Sequence, residues 1–373
     1  MPLRTLKGET MGKYLFLFLC LAGAAAFADD FNIPMPVPSP ADGTSALPAA
    51  ADRVSPVACS RSGTQRGPGG AYFRKLLSTP AHKVAGIKAK GTLPKVTFDA
   101  ARYYKPAAGQ PAWQEGPLDR PSVYLGASTG RKELDCGLSW DRVFDPAGNP
   151  MYTDLPGMSD GNRPDRRFVV AKNFNDTVLK DANGKLIVEG KQAIDKLLAE
   201  KKIQPDFAFR PFWRTTNTGE TPWNSPPKNS PENKYFYPGE KVSMTLELKA
   251  KDTFVLSFKA QGREFRKEFK QEGFDPDGKQ NQASFKRVNS IDQFRVVSGK
   301  RAGNEGRRII ATGTKAVGAV WESVLLVLKG KEVPMTGAYC SEIRGGDTAG
   351  NYKNIFRISG QNEQGGESLD IIP

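Results

Sequence analysis

Between Phe207 and Lys270 apolar and polar positions alternate with the period of two that marks half-buried strands. In the run from Lys241 to Leu248, Val242, Met244, Leu246 and Leu248 alternate with Lys241, Ser243, Thr245 and Glu247. After Ala250-Lys251-Asp252 the alternation resumes at Phe254, Leu256 and Phe258, and after Ala260-Gln261-Gly262 a third, more charged run carries Phe265 and Phe269. This predicts an antiparallel meander with one apolar face and one wet face. Upstream, Leu134, Cys136, Leu138 and Trp140 fall on one face of a strand, with Glu133, Asp135 and Ser139 on the other. In the aromatic run from Phe207, Phe209 and Trp213 share one face and Arg210, Phe212 and Arg214 the other, with Pro211 implying an edge or a bulge.

Further strand-like runs lie at Ser122 to Gly126, Phe168 to Ala171, Ser284 to Val288, Ile291 to Val297, Ile309 to Thr312, Ala316 to Leu328, Tyr339 to Ile343, Ile355 to Ser359 and Leu369 to Ile372. Asp181-Ala182-Asn183-Gly184 between two apolar runs predicts a hairpin, because Asn-Gly tolerates the positive φ of a tight turn. Only Lys191 to Lys202, with Ala193, Ile194, Leu197 and Leu198, shows helical spacing. Ala71 to Leu77 reads as a short turn of helix, and Thr92 to Trp113 fixes no element. The sum is an all-β sandwich or barrel with one short helix and no internal repeat. Residues 71–373 form one large domain in this reading.

The N-terminus changes the picture of where the fold resides. Lys13 precedes the apolar run YLFLFLCLAGAAA, which ends in Ala26-Phe27-Ala28. The run is short for a membrane span and closes on small residues, so residues 1–28 read as a signal peptide, with Met11 an alternative start. No other stretch is apolar enough to span a bilayer. Residues 29–70, rich in Pro, Ala, Gly and Ser, read as an extended or disordered leader. An exported chain, periplasmic or at the extracellular surface, is the expectation.

The whole chain carries 54 Lys and Arg against 40 Asp and Glu, a formal charge of +14. Removing residues 1–28 takes away Arg4, Lys7 and Lys13 against Glu9, leaving 51 − 39 = +12. In an exported protein this balance favours polysaccharide, another anionic cell-surface polymer or an anionic membrane surface over nucleic acid. Charge spread over the surface for solubility explains it equally well.

Three cysteines remain after cleavage, Cys59, Cys136 and Cys340. An odd number in an oxidising compartment predicts one disulfide and one thiol. Cys136, in an alternating apolar segment, fits the buried free one, leaving Cys59 to tether to Cys340. With His82 the only histidine and no CxxC, no zinc site of ordinary composition is expected, nor a Ser/His/Asp or Cys/His nucleophile. Calcium is conceivable at Asp275-Pro276-Asp277-Gly278 or from Asp145 to Asn149, where turn chemistry is the plainer explanation. No other cofactor is implied.

The strongest candidate for function is the aromatic strand. Rings beside arginines suit sugar recognition, since rings stack on apolar sugar faces and fixed donors read hydroxyls or carboxylates. Arg210, Phe212 and Arg214, with Trp223, Tyr235 and Tyr237 from the following loop, are the candidate binding residues; core packing is the alternative for Phe207, Phe209 and Trp213.

The exported chain, its many strands, Glu133-Leu134-Asp135 on a strand and the run from Phe207 to Trp213 together resemble the concanavalin A-like jelly rolls, the superfamily of legume-type lectins and laminarinase-type glucanases, over residues 120–373. The resemblance implies an antiparallel jelly-roll β-sandwich and lectin-like carbohydrate binding. In glucanases of this type the motif Glu-x-Asp-x-x-Glu supplies a nucleophile and, last, an acid/base. Glu133 and Asp135 match the first two carboxylates, but Leu138 stands at the third position. The expectation is therefore a non-catalytic exported protein binding polysaccharide or a cell-surface partner. A divergent glycan hydrolase using Glu133 with Asp135 or Glu322 is the second reading, and a structural surface or matrix protein is the third.

Overall fold

The computed structural model describes residues 57–58, 71–78, 84–104, 116–129, 132–154, 167–172, 177–216, 223–227, 230–277, 283–298, 300–304, 309–328, 331–336, 340–344 and 352–373. Three principal sheets carry the fold. Sheet I runs in the order Val57–Ala58, Cys340–Arg344, Ala71–Leu77, Ser284–Val297, Asp119–Thr129, Lys132–Arg142, Phe207–Thr215, Trp223–Asn224, with Lys300–Asn304 added beside Ser284–Val297. Sheet II runs Arg263–Lys270, Thr253–Ala260, Lys241–Ala250, Val84–Thr92, Lys315–Leu328, Ser368–Ile371, Phe356–Ile358, with Lys331–Pro334 and Lys95–Thr97 also pairing with Lys315–Leu328. Sheet III is smaller: Leu186–Glu189, Thr177–Asp181, Arg167–Lys172, Met151–Thr153, Gln204–Pro205. The described pairings are antiparallel except that of Val57–Ala58 with Cys340–Arg344.

Sheets I and II pack face to face as a jelly-roll-like sandwich, and the alternation along each strand decides what lies between them. Leu125, Cys136, Leu138, Trp140, Phe209 and Phe285 from sheet I meet Ile87, Met244, Leu246, Leu256, Phe258 and Val324 from sheet II in one buried cluster. Burial of side chains of this size stabilises by roughly 1.5–3 kcal/mol each before chain entropy is charged against it. Arg74 and Arg287, also facing inward from sheet I, bind the buried Glu367 beside sheet II at 3.0 and 2.9 Å. Burial pushes the Glu367 carboxyl up, but the two guanidiniums outweigh it and hold it below the ordinary range. Sheet III keeps its own small core of Tyr152, Leu179, Ile194 and Ile203, with the helix Lys191–Ala199 laid on it.

The meander from Lys241 to Lys270 is as its pattern predicts. Other elements differ. Ala71–Leu77 is a strand, not a helical turn: neighbours on both edges, Ser284–Val297 and Cys340–Arg344, supply its hydrogen bonds, and pairing overrides local preference. The runs at 284–288 and 291–297 merge into one 14-residue strand. Ile309 to Thr312 joins no sheet; its polar groups are met by Gln293, Asp119 and Asp99 instead. The helix stops at Ala199, with Lys201 at φ 55° just beyond it.

The hairpin at Asp181 forms, with Gly184 alone taking positive φ (81°) while the Asp181 side chain accepts from the backbone N–H of Asn183 and Lys185. Val57–Ala58, inside the expected leader, forms a strand; the rest of 29–70, the signal peptide and His82 lie outside the described residues. Cys136 is free and buried, and burial pushes its thiol well up. Val57 pairs with Cys340 across the parallel ladder, while Cys59 lies outside the described residues.

Candidate functional site

The outward face of sheet I carries the chemistry, because alternation sends one polar set there from four adjacent strands. The register aligns it in rows: Lys286, Gly126, Asp135 and Arg214; then Val288, Tyr124, Gly137 and Phe212; then Ser290, Ser122, Ser139 and Arg210; and beyond these Asp292 opposite Arg120. Two glycines let side chains meet across an intervening strand. A Cβ on Gly126 would lie 2.5 Å from Lys286 Cε, and one on Gly137 would lie 2.1 Å from Tyr124 Cβ. Across Gly126, Lys286 Nζ reaches Asp135 at 2.6 Å and also contacts Glu133. Across Gly137, the Tyr124 and Phe212 rings meet edge to face at 5.8 Å.

Lys286, Asp135, Glu133 and Arg214 form one ion cluster, with Arg214 2.6 Å from Asp135 and 3.9 Å from Glu133. Burial pushes Asp135 up, but Lys286 and then Arg214 outweigh it and leave its carboxyl below the usual range. Burial likewise lowers Lys286 while Asp135 and Glu133 raise it further, so the ammonium persists. The half-buried Tyr124 is held well above the ordinary phenol value, first by loss of solvation and then by the charges of Asp135 and Asp292.

Trp223 comes from the short edge strand Trp223–Asn224, paired to Trp213 and Arg214. Its indole lies flat on the buried Phe212, centroids 4.2 Å apart and planes 7° apart, and stays half-buried. The Arg120 guanidinium stands 5.9 Å from that indole and 5.2 Å from the Phe294 ring. Asp292, across the ladder from Arg120, accepts from the Ser290 hydroxyl at 3.1 Å. Burial pushes its carboxyl up to about 6, against the Ser290 hydrogen bond and the charges of Arg214 and Arg120.

The expected site residues therefore divide. Arg214, Trp223, Glu133 and Asp135 converge on this face. Phe212 belongs to it but is 1% exposed beneath Trp223, so it supports the indole rather than meeting a ligand. Arg210 is also buried: it donates to Asn233 at 2.9 Å and Asp141 at 3.1 Å and to the Pro226 carbonyl, tying Pro226 and Asn233 to its strand. Tyr235 completes that anchor, its hydroxyl accepting from the Asn233 side chain and the Phe144 backbone; burial pushes it up to about 12 against the charge of Arg210 and these two hydrogen bonds, which favour the phenolate. Tyr237 is buried elsewhere, under the Arg167 guanidinium at 3.9 Å and packed with Val143 and Ala208.

Glu322 is not a partner of Glu133. It sits on sheet II beside the inward-facing Trp321, with a bulge between Trp321 and Ser323, and pairs with Lys241 at 2.8 Å, whereas Glu133 points out of sheet I. Phe207 and Phe209 are core, and Trp213 packs on Phe265 and Phe269. The Asp145 carboxylate closes its own loop by accepting from Asn149, and Asp275 accepts from the Asp277 backbone; among the described residues no three metal-ligating side chains gather.

Asp292, Arg120, Lys286 and Tyr124 were missed from the sequence. The available signal was glycine inside strand pattern at 126 and 137, which marks close side-chain approach.

No family model and no curated protein matches the chain. Among solved structures it is similar to scytalido-glutamic peptidase with a peptide-based transition-state analogue, at 8% identity and TM-score 0.39 over 82% of this chain and 98% of that one. A second crystal structure of that peptidase, with a transition-state analogue inhibitor, is similar at 7% identity and TM-score 0.39 over the same shares, 82% and 98%. SCP-B, a member of the Eqolisin family of peptidases in complex with the tripeptide Ala-Ile-His, is similar at 9% identity and TM-score 0.38, again over 82% and 98%. Likenesses of this order carry no conclusion about the chemistry of this chain.

Proposed function

We propose that this protein is an exported, non-catalytic β-sandwich that holds a polysaccharide, or another hydroxyl-rich cell-surface polymer, on the outward face of sheet I. The observation that carries the reading is the Trp223 indole, half-exposed and stacked on a buried phenylalanine. A ring held flat by a second ring loses little freedom when a sugar stacks on it. Arg214 on the neighbouring strand, a quarter exposed, supplies directional donors to hydroxyls or carboxylates. The ion cluster supports a non-catalytic role, because Glu133 and Asp135 are both paired to the Lys286 ammonium rather than left to act as nucleophile and acid/base.

Retention on insoluble cell-wall and plant polysaccharides tests this. Trp223→Ala should weaken retention about tenfold while the protein stays folded by thermal melt. Unchanged retention in the folded variant overturns the reading.

One observation favours hydrolysis as a second reading. Asp292, raised to about 6, and Asp135, lowered, lie on the same face, and carboxyls driven apart in this way suit acid and base roles. Reducing-end release near pH 5 that Asp292→Asn abolishes would establish it; no release from a panel of glycans would dismiss it.

A further inference from the structure

We infer that Arg142 and Trp140 hold one small monovalent anion, of chloride size, where the inward face of sheet I meets sheet III, apart from the outward face that carries Trp223. Both residues lie on the strand Lys132–Arg142, two positions apart, so both side chains leave its inward face. Arg142 is 2% exposed and Trp140 1%. Neither terminal nitrogen of the Arg142 guanidinium has a hydrogen-bond acceptor, and the Trp140 indole N–H has none either.

The two side chains share one aromatic wall. The Phe207 ring lies 5.7 Å from the guanidinium carbon and is stacked on the indole at 6.1 Å, while Phe98 packs against Phe207 at 5.6 Å and the indole at 6.0 Å. From sheet III the Tyr152 ring lies under the guanidinium at 4.4 Å. Charge does not balance at this junction. Burial lowers the Arg142 pKa, and the neighbours that oppose this are Tyr152, Asp206 and Tyr103. Asp206 is the carboxylate among them, and Arg167 already pairs with it at 3.0 Å. Two guanidiniums thus share one carboxylate.

A buried cation without an acceptor of its own is strongly destabilising. One water offers two lone pairs to the three orphaned nitrogens and leaves the surplus charge in place. One monovalent anion accepts from all of them through charge-assisted bonds and neutralises that surplus. Near-complete burial of both donors suits a single ion rather than a group carried on a chain. Ring edges, positive where ring faces are negative, complete the shell of such an ion.

The test is thermal melting of the full chain in sodium gluconate, replaced stepwise by sodium chloride or bromide at a constant ionic strength of about 0.1 M. Gluconate, too large for a buried site of one ion, is the baseline. The melting temperature should rise with either halide and saturate, because a ligand of the folded state stabilises it by mass action. Arg142→Met, close in shape and uncharged, should melt at or above the parent in gluconate and lose the halide response. Trp140→Phe keeps a ring and removes the donor, so its halide midpoint should rise about tenfold. Parent crystals soaked in bromide should show an anomalous peak beside the Arg142 guanidinium, which reads the site even where a variant fails to fold. No halide response in the parent overturns the inference. So does a response that folded Arg142→Met keeps, an unchanged midpoint in folded Trp140→Phe, or water alone beside Arg142 in the bromide crystals.

Discussion

Replacing Asp292 by Asn should make the protein more stable at neutral pH and remove part of its pH dependence. The carboxyl titrates at about 6 in the fold against roughly 4 in an unfolded chain. The native state therefore holds this proton more tightly than the unfolded state does. The contribution is fully present below pH ~4 and is lost as pH rises through about 6, the opposite sense to an ion-paired carboxylate. About two pH units correspond to ~3 kcal/mol. Asp292 is only half-buried, and water that reaches it reduces this, so ~1–2 kcal/mol is the expected gain at pH 7. Asn keeps an oxygen to accept from Ser290, so the substitution removes charge and little else. Urea unfolding at intervals from pH 4 to 8 reads the effect. Curves that converge near pH 4 and separate towards pH 7, with the variant higher, are expected. Parallel curves, or a variant less stable at pH 7, would refute the assignment of a desolvated carboxyl at this position.

Lys286→Ala leaves Asp135 buried with Arg214 as its remaining close cation, and should cost about 3 kcal/mol in the same urea experiment. Gly137→Ala drives a Cβ into the backbone and Cβ of Tyr124, and should cost at least about 2 kcal/mol or yield no soluble protein; a stable variant with an unchanged midpoint would contradict the close approach of these strands.

The architecture was legible because the sandwich is built from half-buried strands, each of which records its two faces in its own sequence. Leu134, Cys136, Leu138 and Trp140 fall inward as their spacing requires. What spacing does not record is whether the outward face stays open. Arg210 and Phe212 fall outward as predicted, yet Pro226 and Trp223 return over them and use both as anchors. Ala71–Leu77 was misread for a related reason: its strand state depends on partners more than 200 residues away in the chain. Lys286 and Asp292 went unnoticed because an isolated charge in an apolar strand reads as solvent-facing, and only register shows that Lys286 lies across Gly126 from Asp135.

The central claim is that Trp223 faces the ligand while the other described tryptophans do not. Oxidative footprinting of the protein bound to a retained polysaccharide, against the free protein, tests it within one molecule. Trp223 should be protected on binding, and Trp213, half-buried on Phe265 and Phe269 on the opposite face of the same edge region, should oxidise equally in both states. Protection of Trp213 with Trp223 unchanged would place the ligand elsewhere and contradict the account.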